Sequence, residues 1–327
     1  SSGINAEYMG TLLFFFTLRS RRSAYFVPLP SAPLCALIAI AGARQPPAEA
    51  PEMGIRRLSN DLQYWLVDHP RISQFEWRRG QTLGASPIFP ILAIASYLAA
   101  VAILRFKPPP PLRPAVLRPI SAVHSLLLLL LSLAMAAGCS LAAYAQMPGP
   151  GWIFCFPAGR TPPRGPVFFW AYVFYLSKLI EFGDTLLIIL GGGGGGRSIR
   201  RLSFLHVYHH AATVGMCYAW LEASQSLLPV ALVTNAAVHV LMYGYYLRCA
   251  AGAGRPAWKR AVTEVQIGQF VFSFAASVVM LRLHFTGPGC AGIGAWCFNA
   301  AFNVSLLALF FHFHSRNYAA RRSHKFE

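Results

Sequence analysis

The sequence predicts an all-α integral membrane protein, a bundle of seven transmembrane helices. Three observations predict it. The 327 residues are 55% hydrophobic and only 12% charged, with mean hydropathy +0.47, whereas a soluble domain carries about twice that charged fraction. Seven apolar segments, each long enough to cross roughly 30 Å of hydrocarbon as a helix, follow residue 86. Basic residues gather in alternate loops between those segments. The formal charge of +17 would otherwise suggest nucleic acid. Confined to short inter-span loops, it points instead to topology and to anionic partners at the membrane surface, and no nucleic-acid partner is expected.

Residues 1–52 hold short apolar pieces broken by Arg19, Arg21, Arg22, Pro28, Pro30 and Pro33, with no clean signal peptide. The register improves at Met53, so 1–52 is expected to be a non-native or disordered extension. A myristoyl site at Gly54 is rejected, because the position that needs Ser or Thr holds Leu58. Residues 53–86 form a lumenal or interfacial segment, in which Tyr64, Trp65, Phe75 and Trp77 suit the membrane surface. The membrane domain is expected over 87–314, with spans near 87–104, 119–144, 167–190, 203–220, 226–247, 261–282 and 292–314. No period-two alternation suggests barrel strands. Residues 315–327 form a basic tail.

The loops carrying Arg105, Lys107, Arg113 and Arg118, then Arg197, Arg200 and Arg201, then Arg248, Arg255, Lys259 and Arg260 fall on the same side as the tail. By the positive-inside rule that side is cytosolic. Arg71, Arg78 and Arg79, on the opposite side, conflict with the rule. Cys155 and Cys290 both fall in lumenal loops, where an oxidising compartment permits a disulfide. That pair is expected, with Cys297 as a competing partner and free thiols as the alternative. The seven cysteines contain no CxxC pair, which argues against a zinc site. Gly191–Gly196 lacks the Lys-Ser/Thr of a phosphate loop and reads as flexible filler.

An ionisable group inside a bilayer costs at least about 2.5 kcal/mol to insert, so those within spans carry information. Acids are scarce after Glu76, yet Glu181, Asp184 and Glu264 lie inside predicted spans. In the third span Lys178, Glu181, Asp184 and Thr185 recur at helical spacing and form one polar stripe. Read alone, Lys178 and Glu181 are also compatible with a structural ion pair. The fourth span carries His206, His209 and His210, which share a helical face. A neutral imidazole has one free lone pair and can act as nucleophile, base or metal ligand. In the fifth span Asn235, His239 and Tyr246 share a face, with Met242, Tyr243 and Tyr245 beside them. The sixth span carries Thr263, Gln266 and Gln269 at three-residue spacing, a pattern that interhelical hydrogen bonding alone would also explain.

These motifs, KxxExxDT, HxxHH, NxxxHxxMYxYY and TxxQxxQ in this order on successive helices, resemble the ELO family of very-long-chain fatty acid elongases. The resemblance covers about 57 to 320; residues 1–52 have no counterpart, and the polyglycine run is unusual. It implies a seven-helix bundle around an acyl tunnel closed toward the lumen, in the endoplasmic reticulum membrane with a cytosolic C-terminus. It implies a 3-ketoacyl-CoA synthase that condenses malonyl-CoA with a long acyl-CoA, without cofactor or metal. On that resemblance His209 is the nucleophile that forms an acyl-imidazole, and His206 and His210 orient it. His239 with Asn235 would hold the thioester or keto oxygen, and Glu181 and Asp184 would set imidazole tautomers. Lys178, Thr185, Tyr243, Tyr246, Thr263, Gln266 and Gln269 would bind substrate. Arg197, Arg200, Arg201, Lys259 and Arg260 would draw in the polyanionic CoA, although topology alone also explains them. Cys217, a turn or two from the box, is disfavoured as nucleophile. Partners implied are the bilayer and the ketoacyl reductase, dehydratase and enoyl reductase of an elongation cycle; a homo-oligomer is left open.

Two alternatives stand beside this reading. A di-iron membrane desaturase or hydroxylase also carries HxxHH boxes, but needs about eight histidines in several boxes. Here there is one box, a lone His239, and His312 with His314. A seven-helix transporter or receptor is the non-enzymatic alternative, and no internal repeat of a transporter is visible in the sequence.

Overall fold

The computed structural model describes residues 49–191, 202–252, 254 and 256–315. The chain divides into two units, Ser1–Glu52 and Met53–Glu327. Of the first, only the residues from Glu49 are described. Glycines 192–196, the arginines at 197, 200, 201 and 255, and the tail beyond Ser315 lie outside the described residues.

The described secondary structure is helical, with two isolated β-bridges and no named strand. Helix α1 spans Glu49–Gln63 and continues through a π-helical turn, Tyr64–Asp68, and a single helical turn, Pro70–Ser73. Then come α2 (Ile88–Phe106), α3 (Pro114–Gln146), α4 (Pro166–Ile180), α5 (Phe182–Leu190), α6 (Phe204–Glu222), α7 (Leu228–Ala250), α8 (Lys259–Thr286) and α9 (Ile293–His314). The apolar segments therefore form helices where expected, with one difference: the span expected over 167–190 is interrupted at Glu181. By length and apolarity, five described helices can cross a membrane: α2, α3, α7, α8 and α9. The remaining two segments fall short for a chemical reason. α4 and α5 are each too short alone, and α6 is diluted by its histidines.

Local signals set the helix starts. Ser203 accepts the amide of His206 at 3.2 Å as the N-cap of α6. Pro114, Pro166 and Pro229 occupy first-turn positions, where a missing N–H costs nothing. Gln146, the last residue of α3, caps its neighbour instead: its Oε1 accepts the Val167 amide at 2.9 Å.

Contacts run in a ring, α3–α7–α8–α9–α6–α4 and back to α3, with α2 packed outside on α6 and α5. The α3–α7 seam is the most extensive. Between them, α3 buries Leu128, Ser132, Met135, Cys139 and Ala142 among others, and α7 buries Leu232, Ala236, His239 and Tyr243 among others. Small side chains at helical spacing let two backbones approach closely, which is how helices pack when lipid removes the hydrophobic drive between them. Large apolar residues such as Ile91, Leu98, Leu127, Leu130 and Val278 point outward, as a lipid-facing surface requires.

One end of the ring is woven shut. Cys155 and Cys290 are disulfide-bonded, with Cα atoms 5.0 Å apart, while Cys297 is free and exposed; the expected pairing is present. Around it Ala291 N donates to Phe156 O at 2.7 Å, Phe156 N to Ser226 Oγ at 3.0 Å, and Ser226 N to Ala291 O at 3.1 Å. The segment after α1 closes the same end. Trp170 Nε1 donates to Leu66 O at 2.8 Å, Trp77 N to Pro163 O at 2.9 Å, and Gly165 N to Phe75 O at 2.8 Å. Tyr64 and Trp65 are on the surface. Trp77 is not: it is buried, stands edge-on to Tyr175, and donates Nε1 to Glu222 at 3.2 Å. Arg79 pairs with Glu222, and Arg78 with Glu76 at 2.6 Å. The Arg78 guanidinium, hydrogen-bonded to Glu76, holds that carboxyl below its ordinary pKa. Two of the three arginines that conflict with the charge rule are thus engaged by acids at this end.

Candidate active site

The ring encloses a cavity of about 860 Å3. Its mouth lies among Leu117 and Ser121 near the start of α3, Gly191 after α5, Ser203 and Leu205 at the start of α6, Cys249 and Ala250 at the end of α7, Lys259 at the start of α8, and Phe313 at the end of α9. All of these are at the end opposite the disulfide cap. Its inner wall reaches Ser125, Asn235, Gln269 and Phe270.

The histidine box faces the cavity. His206, His209 and His210 all line the cavity, with ring centroids 4.3 Å apart for His206–His210 and 5.3 Å for His209–His210. Among the described residues, His209 has no hydrogen-bonding partner, so its ring nitrogens are uncommitted. His210 is buried, with Nδ1 unpartnered. His206 Nε2 lies 2.9 Å from Thr185 Oγ1.

From α7, Asn235, His239, Met242, Tyr245 and Tyr246 line the cavity. His239 Nδ1 sits 3.4 Å from Glu181 Oε1. From α8, Thr263, Gln266 and Gln269 line it too. Gln269 Oε1 accepts from Asn235 Nδ2 at 3.3 Å, and Gln266 Nε2 approaches Met242 Sδ at 3.7 Å.

The break at Glu181 redistributes the polar stripe of the third span. There the Asp184 amide donates to Glu181 O at 3.0 Å, three residues back. Glu181 and Asp184 face the cavity; Lys178 and Thr185 do not line it. Lys178, 1% exposed, gives Nζ to Glu181 Oε1 at 2.7 Å and to Asn235 Oδ1 at 3.5 Å, and lies 4.1 Å from the Phe174 ring centroid. It is thus the counter-ion of Glu181 and an anchor for Asn235, not a substrate contact. Breaking such a pair by removing one partner costs about 3–5 kcal/mol, because the other charge stays buried. Glu181 Oε2, buried beside it, has no partner.

Further sequence readings are corrected or limited. Tyr243 does not line the cavity; it is buried and donates to Asp184 Oδ2 at 2.8 Å. Asp184 does not set a tautomer in the box: its other oxygen, Oδ1, lies 3.0 Å from His124 Nε2. Glu264 lies near the start of α8, where it pairs with Arg260 at 2.7 Å and lies 3.7 Å from His314. Arg260 is therefore engaged outside the cavity, which leaves Lys259 as its lining cation among the described residues. Arg197, Arg200 and Arg201 lie outside the described residues. Cys217 is buried and does not line the cavity. Among the described residues, no group of three or more His, Cys, Asp or Glu side chains is placed to hold a metal ion.

The family model for the GNS1/SUR4 family, ELO, matches residues 82–326. The chain belongs to the ELO family. Fatty acid elongase 3-like of Arabidopsis thaliana is 31% identical over 283 residues, covering 82% of this chain and 95% of that protein. Fatty acid elongase A of Dictyostelium discoideum is 32% identical over 266 residues, 78% of this chain and 92% of that protein. Very long chain fatty acid elongase 5 of Xenopus laevis is 32% identical over 155 residues, about half of each. With its five long apolar helices, this ELO protein is a multi-pass membrane protein.

Two site neighbours escaped the sequence reading of this ELO chain: His124 on α3 and Tyr97 on α2. Both touch the Asp184-Thr185 pair, since Tyr97 OH lies 2.9 Å from Thr185 Oγ1. A signal was available for His124, because an ionisable residue in an apolar run such as 119–144 is a functional candidate by default. Tyr97 gave none, as one phenol in an apolar helix is unremarkable.

Proposed function

We propose that this ELO protein catalyses the condensing step of fatty acid elongation. It would join malonyl-CoA to a long-chain acyl-CoA, releasing carbon dioxide and CoA, to give a 3-ketoacyl-CoA two carbons longer. The observation that carries this reading is the state of His209. It faces an 860 Å3 cavity with uncommitted ring nitrogens, while Lys178, His206 and Tyr243 are held by other contacts.

The chemistry runs in two steps. A His209 ring nitrogen attacks the thioester carbonyl, the C–S bond breaks, and the CoA thiolate leaves with the proton shed from the other ring nitrogen. The product is an acyl-imidazole, a reactive acyl donor. Malonyl-CoA then loses carbon dioxide, and the electron pair of the broken C–C bond becomes an enolate. The enolate attacks the acyl carbonyl, a C–C bond forms, and the imidazole departs and recovers a proton. His239, its Nδ1 oriented by Glu181, presents Nε2 for the developing oxyanion, and Asn235, held between Lys178 and Gln269, presents its amide beside it. Gln266 and Thr263 would bond the pantetheine or acyl carbonyls. Lys259, with Tyr246 nearby at the mouth, would meet the CoA phosphates. The acyl chain would lie along the inner, apolar part of the cavity. No cofactor or metal enters this scheme.

Seven spans, with α4 and α5 together forming one and α6 another, bring this cavity to mid-membrane depth. Two features support a cytosolic mouth. Arg105, Lys107, Arg113 and Lys259 surround that end, and the disulfide closes the other, in keeping with an oxidising lumen. We place the protein in the endoplasmic reticulum, where a ketoacyl reductase, a dehydratase and an enoyl reductase would consume the product.

The test is turnover of radiolabelled malonyl-CoA with a panel of acyl-CoAs by purified protein in detergent or liposomes. Wild type should yield products two carbons longer. His209→Ala should lose at least about 10³-fold in kcat while staying folded. Near-normal turnover in His209→Ala would overturn the assignment.

A further inference from the structure

Asp184 and Thr185 are adjacent, yet their side chains serve opposite flanks of the site. Asp184 bridges α3 and α7: His124 Nε2 lies 3.0 Å from Oδ1, and Tyr243 OH donates to Oδ2 at 2.8 Å. Tyr243 in turn stands edge-on to the His239 ring, with centroids 5.6 Å apart and planes at 72°. Thr185 bridges α2 and α6, with Tyr97 OH and His206 Nε2 each 2.9 Å from its hydroxyl. The two outer residues, His124 and Tyr97, do not line the cavity and belong to none of the four motifs.

Both are built into their places. A Cβ at Gly183 would fall 2.7 Å from His124 Cε1, so the glycine makes the room in which that imidazole reaches Asp184. Tyr97 is buried and stacks on Phe182, with centroids 4.1 Å apart and planes at 11°. Each hydrogen bond therefore has a defined geometry in a region shielded from bulk water. Against a carboxylate oxygen the His124 nitrogen donates. With donors on both its oxygens, Asp184 cannot swing toward the box, and the Tyr243 proton points away from His239. On the other flank, Tyr97 OH, Thr185 Oγ1 and His206 Nε2 form one hydrogen-bonded chain, which ties the His206 tautomer to the proton positions of the two hydroxyls.

We infer that His124 and Tyr97 are positioning residues. They anchor the outer ends of two hydrogen-bond relays that meet at Asp184 and Thr185 and fix the rings of His239 and His206. This rests on the condensation reading, and it adds two residues that act on that reaction without touching substrate. A small misplacement of a catalytic group costs up to about 100-fold in rate even when its source lies away from the chemistry.

The experiment measures kcat and KM for acyl-CoA in purified wild type, His124→Leu, His124→Asn, His124→Gln and Tyr97→Phe, with folding checked by gel filtration and thermal melting. Leu and Asn both remove the donor at the Nε2 position, whereas Gln restores an N–H at similar reach. Expected are a fall of about 10- to 100-fold in kcat for Leu and Asn with KM little changed, and recovery by Gln to within about fivefold of wild type. Tyr97→Phe, which keeps the stacked ring, should lose about three- to tenfold in kcat. A purely structural role would lower the melting temperature and yield but leave kcat per folded molecule intact, and Gln would do no better than Leu. That result, or an undiminished Tyr97→Phe, overturns the inference. If His124→Leu does not fold, His124→Asn decides the same point. A wild type that elongates beside folded variants that elongate equally well refutes the relays alone; a wild type that does not elongate refutes the condensation reading and the relays with it.

Discussion

At one end of the helical ring, Cys155 is bonded to Cys290, and Phe156, Ser226 and Ala291 exchange three hydrogen bonds around them. The segment from Leu66 to Arg79 is tied across the same end by Trp170, Pro163 and Glu222. At the other end, the termini of α3, α5, α6, α7, α8 and α9 surround an open mouth with Lys259 at its edge. Neither end resembles the middle, where Lys178, Glu181, Asp184 and the histidines are held inside the ring. The difference teaches how a bilayer protein can keep a polar reaction site. Backbone groups freed in loops are paired at the closed end, as a lipid or interfacial setting demands. The open end leaves the Lys259 ammonium at the mouth. The ionisable groups between them are affordable only because each faces another helix.

If the closed end is a clamp and the open end a port, disturbing the first should change stability and disturbing the second should change binding. The largest effect is expected from Cys155→Ser with Cys290→Ser. This removes a cross-link over a sequence separation of 135 residues, and such a loss typically costs about 2–5 kcal/mol. The melting temperature of the detergent-purified double variant should fall, with turnover per folded molecule within about twofold of wild type because the cavity is remote from the cap. A loss of turnover without a change in melting would show that the cap takes part in the reaction.

A smaller effect separates two neighbouring cations. Lys259 lines the mouth, whereas Arg260 is committed to Glu264 on the exposed face. Lys259→Ala should raise KM for both CoA substrates about three- to tenfold with kcat unchanged, and added salt should shrink the difference. Arg260→Ala should shift stability and KM hardly at all, since exposed pairs of this kind are worth about 0–1 kcal/mol. Equal effects from the two would mean that the mouth draws CoA by its overall charge, with no dedicated contact at Lys259.

How much of this was legible in the sequence follows from which contacts lie within one helix. His206, His209 and His210 share a face because 3.6 residues make a turn, and the cavity lining by Thr263, Gln266 and Gln269 follows from the same period. Loop sidedness made Cys155–Cys290 the expected pair but left Cys297 as a competitor, which only the structure sets aside. Relations between helices were not. Asp184 was expected to serve the box and instead holds His124 and Tyr243, and Thr185 turned out to hold Tyr97 as well as His206. Those pairings depend on the register of α3 and α2 against α5, which is set by close approach at Gly183 and by the interruption at Glu181. Lys178 was assigned to substrate by the resemblance, while spacing left an ion pair with Glu181 open; the structure holds that ion pair, with Phe174 packed against it.

The central claim is that the acyl group is carried on His209. The direct measurement is peptide mass spectrometry of purified protein after incubation with a long-chain acyl-CoA and no malonyl-CoA, followed by a chase with malonyl-CoA. The account predicts an acyl adduct on the α6 peptide, localised to His209, that disappears in the chase as 3-ketoacyl-CoA forms. An adduct on a cysteine, or product formed at full rate with no adduct on any histidine, would contradict it.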